Sequence, residues 1–124
     1  MSEDQPKITG PLAAKVARLG VLSEVQRLQS ASSGKRDDPY YSSGGHNYGR
    51  WVERGYSSAA NIVRDMHPED RESARDYLVR LKAQLESSQQ SYRDDTDDAD
   101  GGGAGAIGEA VSIVEQFAQT YRDT

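Results

Sequence analysis

Between Pro68 and about Arg93 the apolar residues fall at Ala74, Tyr77, Leu78, Leu81 and Leu85. Steps of three and four line one face of a helix with 3.6 residues per turn, so this stretch is predicted to form one amphipathic helix. The flanking residues agree. Pro68 fits the first helical position, where no backbone N–H is needed. Glu69 and Asp70 then fall in a first turn that favours carboxylates, and Asp76 and Arg80 stand four residues apart as an ion pair. A single stripe cannot be buried alone. The rest of the chain, or another chain, must supply the faces that cover it.

Little apolar material is present to do so. Leu, Ile, Val and Phe make up 20 of 124 residues, about 16%, below the roughly 20% at which composition turns towards disorder. The net charge of −5 is modest, so the expectation is one domain with a small core and long solvated segments. Cores of that size are often completed by self-association or by a partner.

Taken in order, residues 1–10 read as a flexible lead, and residues 11–124 as a single helical domain. Pro11 opens a helical stretch in which Leu12, Val16 and Leu19 share a face, and Gly20 is placed to end it. Ser23 with Gln26 resembles a capping box that starts a second short helix carrying Val25 and Leu28. The alternative is one helix to about Ala31 with Gly20 inside it. Residues 32–49, rich in Ser, Gly, Asp and Tyr without periodicity, read as a loop. Helical spacing returns at Val52, Ala59, Ile62, Val63 and Met66, with Trp51 at the entrance and Gly55 weakening the first turns. His67-Pro68 breaks this helix. Residues 94–105, an acidic run followed by glycines, read as a linker. Ile107, Ala110, Val111, Val114, Phe117, Ala118 and Tyr121 mark a last helix. The predicted fold is all-α: a small bundle of about four helices with two long polar loops.

Several motifs invite chemistry. If Gly101 is placed at position 6 of a calcium-binding EF-hand loop, Thr96 falls at position 1 and Ile107 at position 12, where a bidentate Glu is needed, so the ligand set fails. GAGAIG at Gly103–Gly108 matches the letters of the dinucleotide fingerprint. It follows an Asp-rich run, not a strand, and that charge repels a pyrophosphate. His46 and His67 have no cysteine with which to complete a metal site. No Ser lies in a nucleophile-elbow context, and no carboxylate lies in an apolar context that raises its pKa. The chain is predicted to be non-catalytic, with no cofactor and no metal.

Two surfaces remain. Tyr40, Tyr41, Tyr48 and Trp51 lie within twelve residues, among His46, Arg50 and several glycines; Tyr and Trp dominate interface hot spots and also stack on bases. These six residues are the predicted partner-binding site. The second surface is Ala17–Leu28, ARLGVLSEVQRL, which resembles a helix-turn-helix, with Gly20 at the turn. Val16 stands where that motif usually has a small residue, and Val25 comes one position early. The resemblance implies DNA contacts from Arg18, Gln26, Arg27 and Gln29. The charge is uneven in the same sense: residues 1–36 carry a net +3 and residues 37–124 a net −8. The leading expectation is a protein-protein interaction module (an adaptor, inhibitor or assembly subunit) that binds another protein or its own copy. The alternative is a DNA-binding regulator with its helix-turn-helix-like segment at 11–29. The polar N-terminus MSEDQPKITG has no apolar signal core, no apolar run reaches the roughly 20 residues of a membrane span, and cysteine is absent. A cytoplasmic protein is expected.

Overall fold

The structure, a computed structural model, describes residues 10–33, 48–95 and 101–121. They form four helices: α1 Gly10–Ser33, α2 Tyr48–Asp65, α3 Ala74–Asp94 and α4 Gly102–Thr120. No strand occurs among the described residues. The packing runs most extensively from α1 to α2, from α2 to α4 and from α4 to α3, and α1 closes more lightly on α3.

The organising stripe is as its spacing predicts. Ala74, Tyr77, Leu78, Leu81 and Leu85 are the buried residues of α3. Opposite them α4 buries Ile107, Ala110, Val111 and Val114, α2 buries Ala59, Ala60 and Val63, and α1 buries Val21 and Val25. Much of the remaining interior is alanine: Ala13, Ala14 and Ala17 of α1 are fully buried. Such short side chains let helix backbones approach closely, so a small apolar inventory still closes a core.

The start of α3 differs from expectation. Pro68 does not open the helix, and Glu69 and Asp70 are not in its first turn. The helix begins at Ala74, where the Ser73 side chain accepts a hydrogen bond from the Asp76 backbone N–H at 3.1 Å. A serine N-cap satisfies one of the orphan donors of the first turn, which an N–H-free proline five residues upstream cannot do. Before the cap the chain makes a separate turn. The Glu72 N–H donates to the Glu69 carbonyl, and the Glu69 N–H donates to the Glu72 carboxylate, both at 3.0 Å. Arg71 there adopts a positive φ of 67°, which is incompatible with a continuing right-handed helix. Arg80 accordingly turns away from Asp76. It pairs with Glu72 at 2.8 Å and donates to the His67 carbonyl at 3.0 Å. The hydrogen bond from Arg80 holds the Glu72 carboxyl below its usual range. The Tyr77 hydroxyl donates to the Met66 carbonyl at 2.7 Å, and burial pushes its pKa up to about 12.

Of the two readings of α1, one helix or a break at Gly20, the structure has the first. A single helix crosses Gly20, and no second helix starts at Ser23. Gly20 is used for contact: a Cβ there would lie 2.5 Å from the Phe117 ring. The face shared by Leu12, Val16 and Leu19 is real but points outward, with Leu12 and Leu19 60% and 58% exposed.

The linker expected at 94–105 is also shorter. Gly101 caps α4 in the left-handed conformation, and Gly102, Gly103 and Ala104 are already helical and buried. Gly55 of α2 faces this first turn: a Cβ on Gly55 would come 2.5 Å from the Gly103 carbonyl and 2.7 Å from the Ala106 Cβ. Helix backbones in contact leave no room for a methyl group.

Two glycine substitutions are therefore predicted to act in opposite directions. Gly55→Ala forces α2 and α4 apart and costs about 1–3 kcal/mol. Gly105→Ala lies on the exposed side of α4 with open space around it and stabilises by about 0.5–1 kcal/mol. Thermal melts by circular dichroism check both. Tyr77 sets an alkaline limit. Because its folded pKa is raised above the unfolded value near 10, the stability it contributes is complete below pH 10 and is lost as pH rises towards 12. Urea midpoints from pH 9 to 12 should fall, and fall less in Tyr77→Phe.

Candidate functional site

The expected aromatic site is only partly within the described residues. Tyr40, Tyr41 and His46 lie outside them. Tyr48 is the first residue of α2, with its side chain likewise outside the description, and Arg50 is exposed in the same turn. Trp51 alone joins a formed site. Its half-buried indole meets the Tyr92 ring edge-on, with centroids 5.9 Å apart and planes at 90°. The Arg54 guanidinium lies over the indole, 4.5 Å from its centroid. Perpendicular rings match positive edge to negative face, and a guanidinium favours that same face.

These groups line an open cleft of about 240 Å³ with Ser91 and Asp95. It forms where the start of α2 meets the end of α3. The Tyr92 hydroxyl and Ser58 Oγ lie 2.7 Å apart, and the Arg54 carbonyl is a longer 3.4 Å away. With Ser58 donating to Tyr92, the phenol proton is left for that carbonyl. The Tyr92 ring rests on Gly103, where any Cβ would collide with it. Gly103 thus serves packing, Gly105 faces open space, and all the glycines of the GAGAIG run lie inside α4, so none forms a phosphate-binding turn. Reading the sequence for nearby aromatics missed Tyr92, which is 41 positions from Trp51. Its signal was present: Tyr92 stands seven residues beyond Leu85, on the same face of α3.

The residues assigned to DNA contact are largely engaged. Arg18 donates through Nε to the Val63 carbonyl at 3.1 Å and through Nη2 to the Arg64 carbonyl at 2.6 Å. It satisfies carbonyls at the end of α2 that the helix leaves open. Arg27 pairs with Glu24 at 3.0 Å. Gln26 is exposed and Gln29 half-buried, and no turn separates a recognition helix from the rest of α1.

Among the described residues, no three His, Asp or Glu side chains are placed to hold a metal ion. No helix among them is long and apolar enough to cross a membrane. Among the described residues the groups with displaced pKa values are Glu72, Tyr77 and Arg80. All three sit at the corner between α2 and α3, each tied to a structural partner.

The other notable surface is the outer face of α1. Positions 12, 16, 19, 23, 26 and 30 alternate steps of four and three, the seam spacing of a coiled coil. Leu, Val and Leu occupy its first half, and Ser, Gln and Ser its second. The buried Ala13, Ala14, Ala17, Val21 and Val25 lie on the opposite side of the helix. Among the described residues one further large apolar side chain is exposed, Val79 of α3.

Comparison with protein-family models, curated proteins and solved structures gave no match.

The cleft's dependence on Gly103 and on the Tyr92 hydroxyl is separable. Tyr92→Phe keeps the ring and loses about 1 kcal/mol of hydrogen bonding. Gly103→Ala displaces the ring and costs about 1–3 kcal/mol. Trp51 is the only tryptophan, so its emission should shift to the red in Gly103→Ala and stay unchanged in Tyr92→Phe.

Proposed function

We propose that the chain is a non-catalytic protein-protein interaction module, working as an adaptor, inhibitor or assembly subunit, with the outer face of α1 as its contact surface. One observation carries this reading: two leucines at seam spacing stand about 60% exposed while the same helix buries alanines. Large apolar side chains aligned on an outer helix face are a feature of binding surfaces. The displaced pKa values support a non-catalytic role, since their owners brace the α2–α3 corner and not a cleft. The cysteine-free composition fits a reducing compartment, and we place the module in the cytoplasm. The reading as a DNA-binding regulator gains no support from Arg18 and Arg27, whose guanidinium groups are already used within the chain.

The test is capture from native lysate after nuclease treatment, with a photo-crosslinking residue at position 16. The expected result is a stoichiometric protein that crosslinks to the wild type and to Val79→Ser but is lost from Leu12→Ser/Leu19→Ser. Loss of all captured protein on nuclease treatment, or capture indifferent to the two leucines, would overturn the proposal.

A further inference from the structure

We infer that the outer seam of α1 docks an acidic amphipathic helix of another protein and not a second copy of this chain. The inference rests on the interaction-module reading and names the partner's chemistry. The seam spacing is the first premise. Leu12, Val16 and Leu19 form a narrow stripe about 10 Å long, given a rise of about 1.5 Å per residue. A stripe that narrow matches the a and d positions of a facing helix better than the broad face of a sheet or a loop.

Charge supplies the second premise. Lys15 stands beside Val16 at the flank of the apolar half, exposed and with no ion pair among the described residues. Arg27 further along is already paired with Glu24. The first turn of α1 contains no acidic residue to offset the positive end of the helix dipole. Lys15 thus sets a positive charge at the flank of the leucines, within a chain of net charge −5.

A second copy fits this surface badly. The antiparallel register that sets Leu12 on Leu19 of the copy places Val16 at the two-fold axis, and Lys15 then approaches its own counterpart. Shifting the register towards the C-terminal half of α1 sets leucine against Ser23, Gln26 or Ser30. Parallel pairing continues the seam into those same polar residues and buries Gln26 against itself. A foreign helix with leucines on its seam and glutamates on its flanks meets the stripe with apolar contact and turns the Lys15 charge into an attraction.

The probe is a labelled 14-residue helical peptide with Leu at a and d and Glu at e and g. The comparison probe carries Lys at e and g. Binding is read by fluorescence anisotropy at low and at physiological salt. All substitutions lie on exposed positions, and circular dichroism verifies that each variant folds. The acidic probe should bind, weaken with salt, and lose about tenfold or more in Leu12→Ser/Leu19→Ser. Lys15→Glu should weaken the acidic probe several-fold and strengthen the basic one. Because the chain's negative charge attracts a basic peptide anywhere, only binding that the leucine substitutions abolish is counted. Equal, leucine-dependent binding of both probes overturns the acidic partner and leaves the interaction-module reading standing. Failure of both probes to bind, with a native partner still crosslinking at position 16, overturns the helical partner alone. A dimer seen by sedimentation that Leu12→Ser/Leu19→Ser dissolves overturns the inference in favour of a second copy. Loss of both the probes and the native partner overturns the two readings together.

Discussion

The closeness of α2 to α4 is the constraint on which the rest of this bundle depends. Gly55 faces the backbone of Gly103 with no side chain between. That approach fixes where α4 starts and brings Tyr92 over Gly103. The Tyr92 ring then meets Trp51, which stands four residues before Gly55 on α2. The aromatic cleft is therefore a consequence of a glycine contact. A chain with few large apolar residues gains density by bringing backbones together. In doing so it accepts the conformational entropy that glycine loses on folding.

The corner between α2 and α3 solves a different problem. Residues 66–73 must reverse the chain and leave few backbone groups unsatisfied. Tyr77 and Arg80 reach back from α3 to the carbonyls of Met66 and His67, and Glu72 receives the guanidinium. These side chains lie one turn apart on α3, so the helix itself braces the segment that precedes it. Tyr77 links the two levels: its ring fills the centre of the core while its hydroxyl holds the corner.

Much of this was legible in the sequence. The stripes of α3 and α4 were long, periodic and built from large residues, so period and burial agreed. In α1 the rule misled. It has two apolar faces, one of Ala13, Ala14, Ala17, Val21 and Val25 and one of Leu12, Val16 and Leu19. Hydrophobicity alone favours burying the leucines. The space between closely approached helices admits the alanines, and volume decided the outcome. Gly55 and Gly103 were misread for the same reason, and the role of Gly20 was left open. Taken one helix at a time, a glycine marks an end or a slack segment; the Phe117 ring, the α4 backbone and the Tyr92 ring that occupy the vacant space are distant in sequence. At the candidate sites, the aromatic loop pointed to Trp51 but not to Tyr92, and the arginines of α1 were assigned to DNA when carbonyls of α2 and a neighbouring glutamate already held them.

Arg18 gives α1 something its alanines do not. Methyl groups present a nearly smooth surface, with little relief to oppose sliding along the helix axis. The two carbonyls at the end of α2 that receive the Arg18 guanidinium act as a detent, setting the axial position of α1 to within a hydrogen-bond length. The outward leucines are thereby held at a fixed height on the bundle, and a partner that reads their spacing meets a ruler instead of a sliding rod.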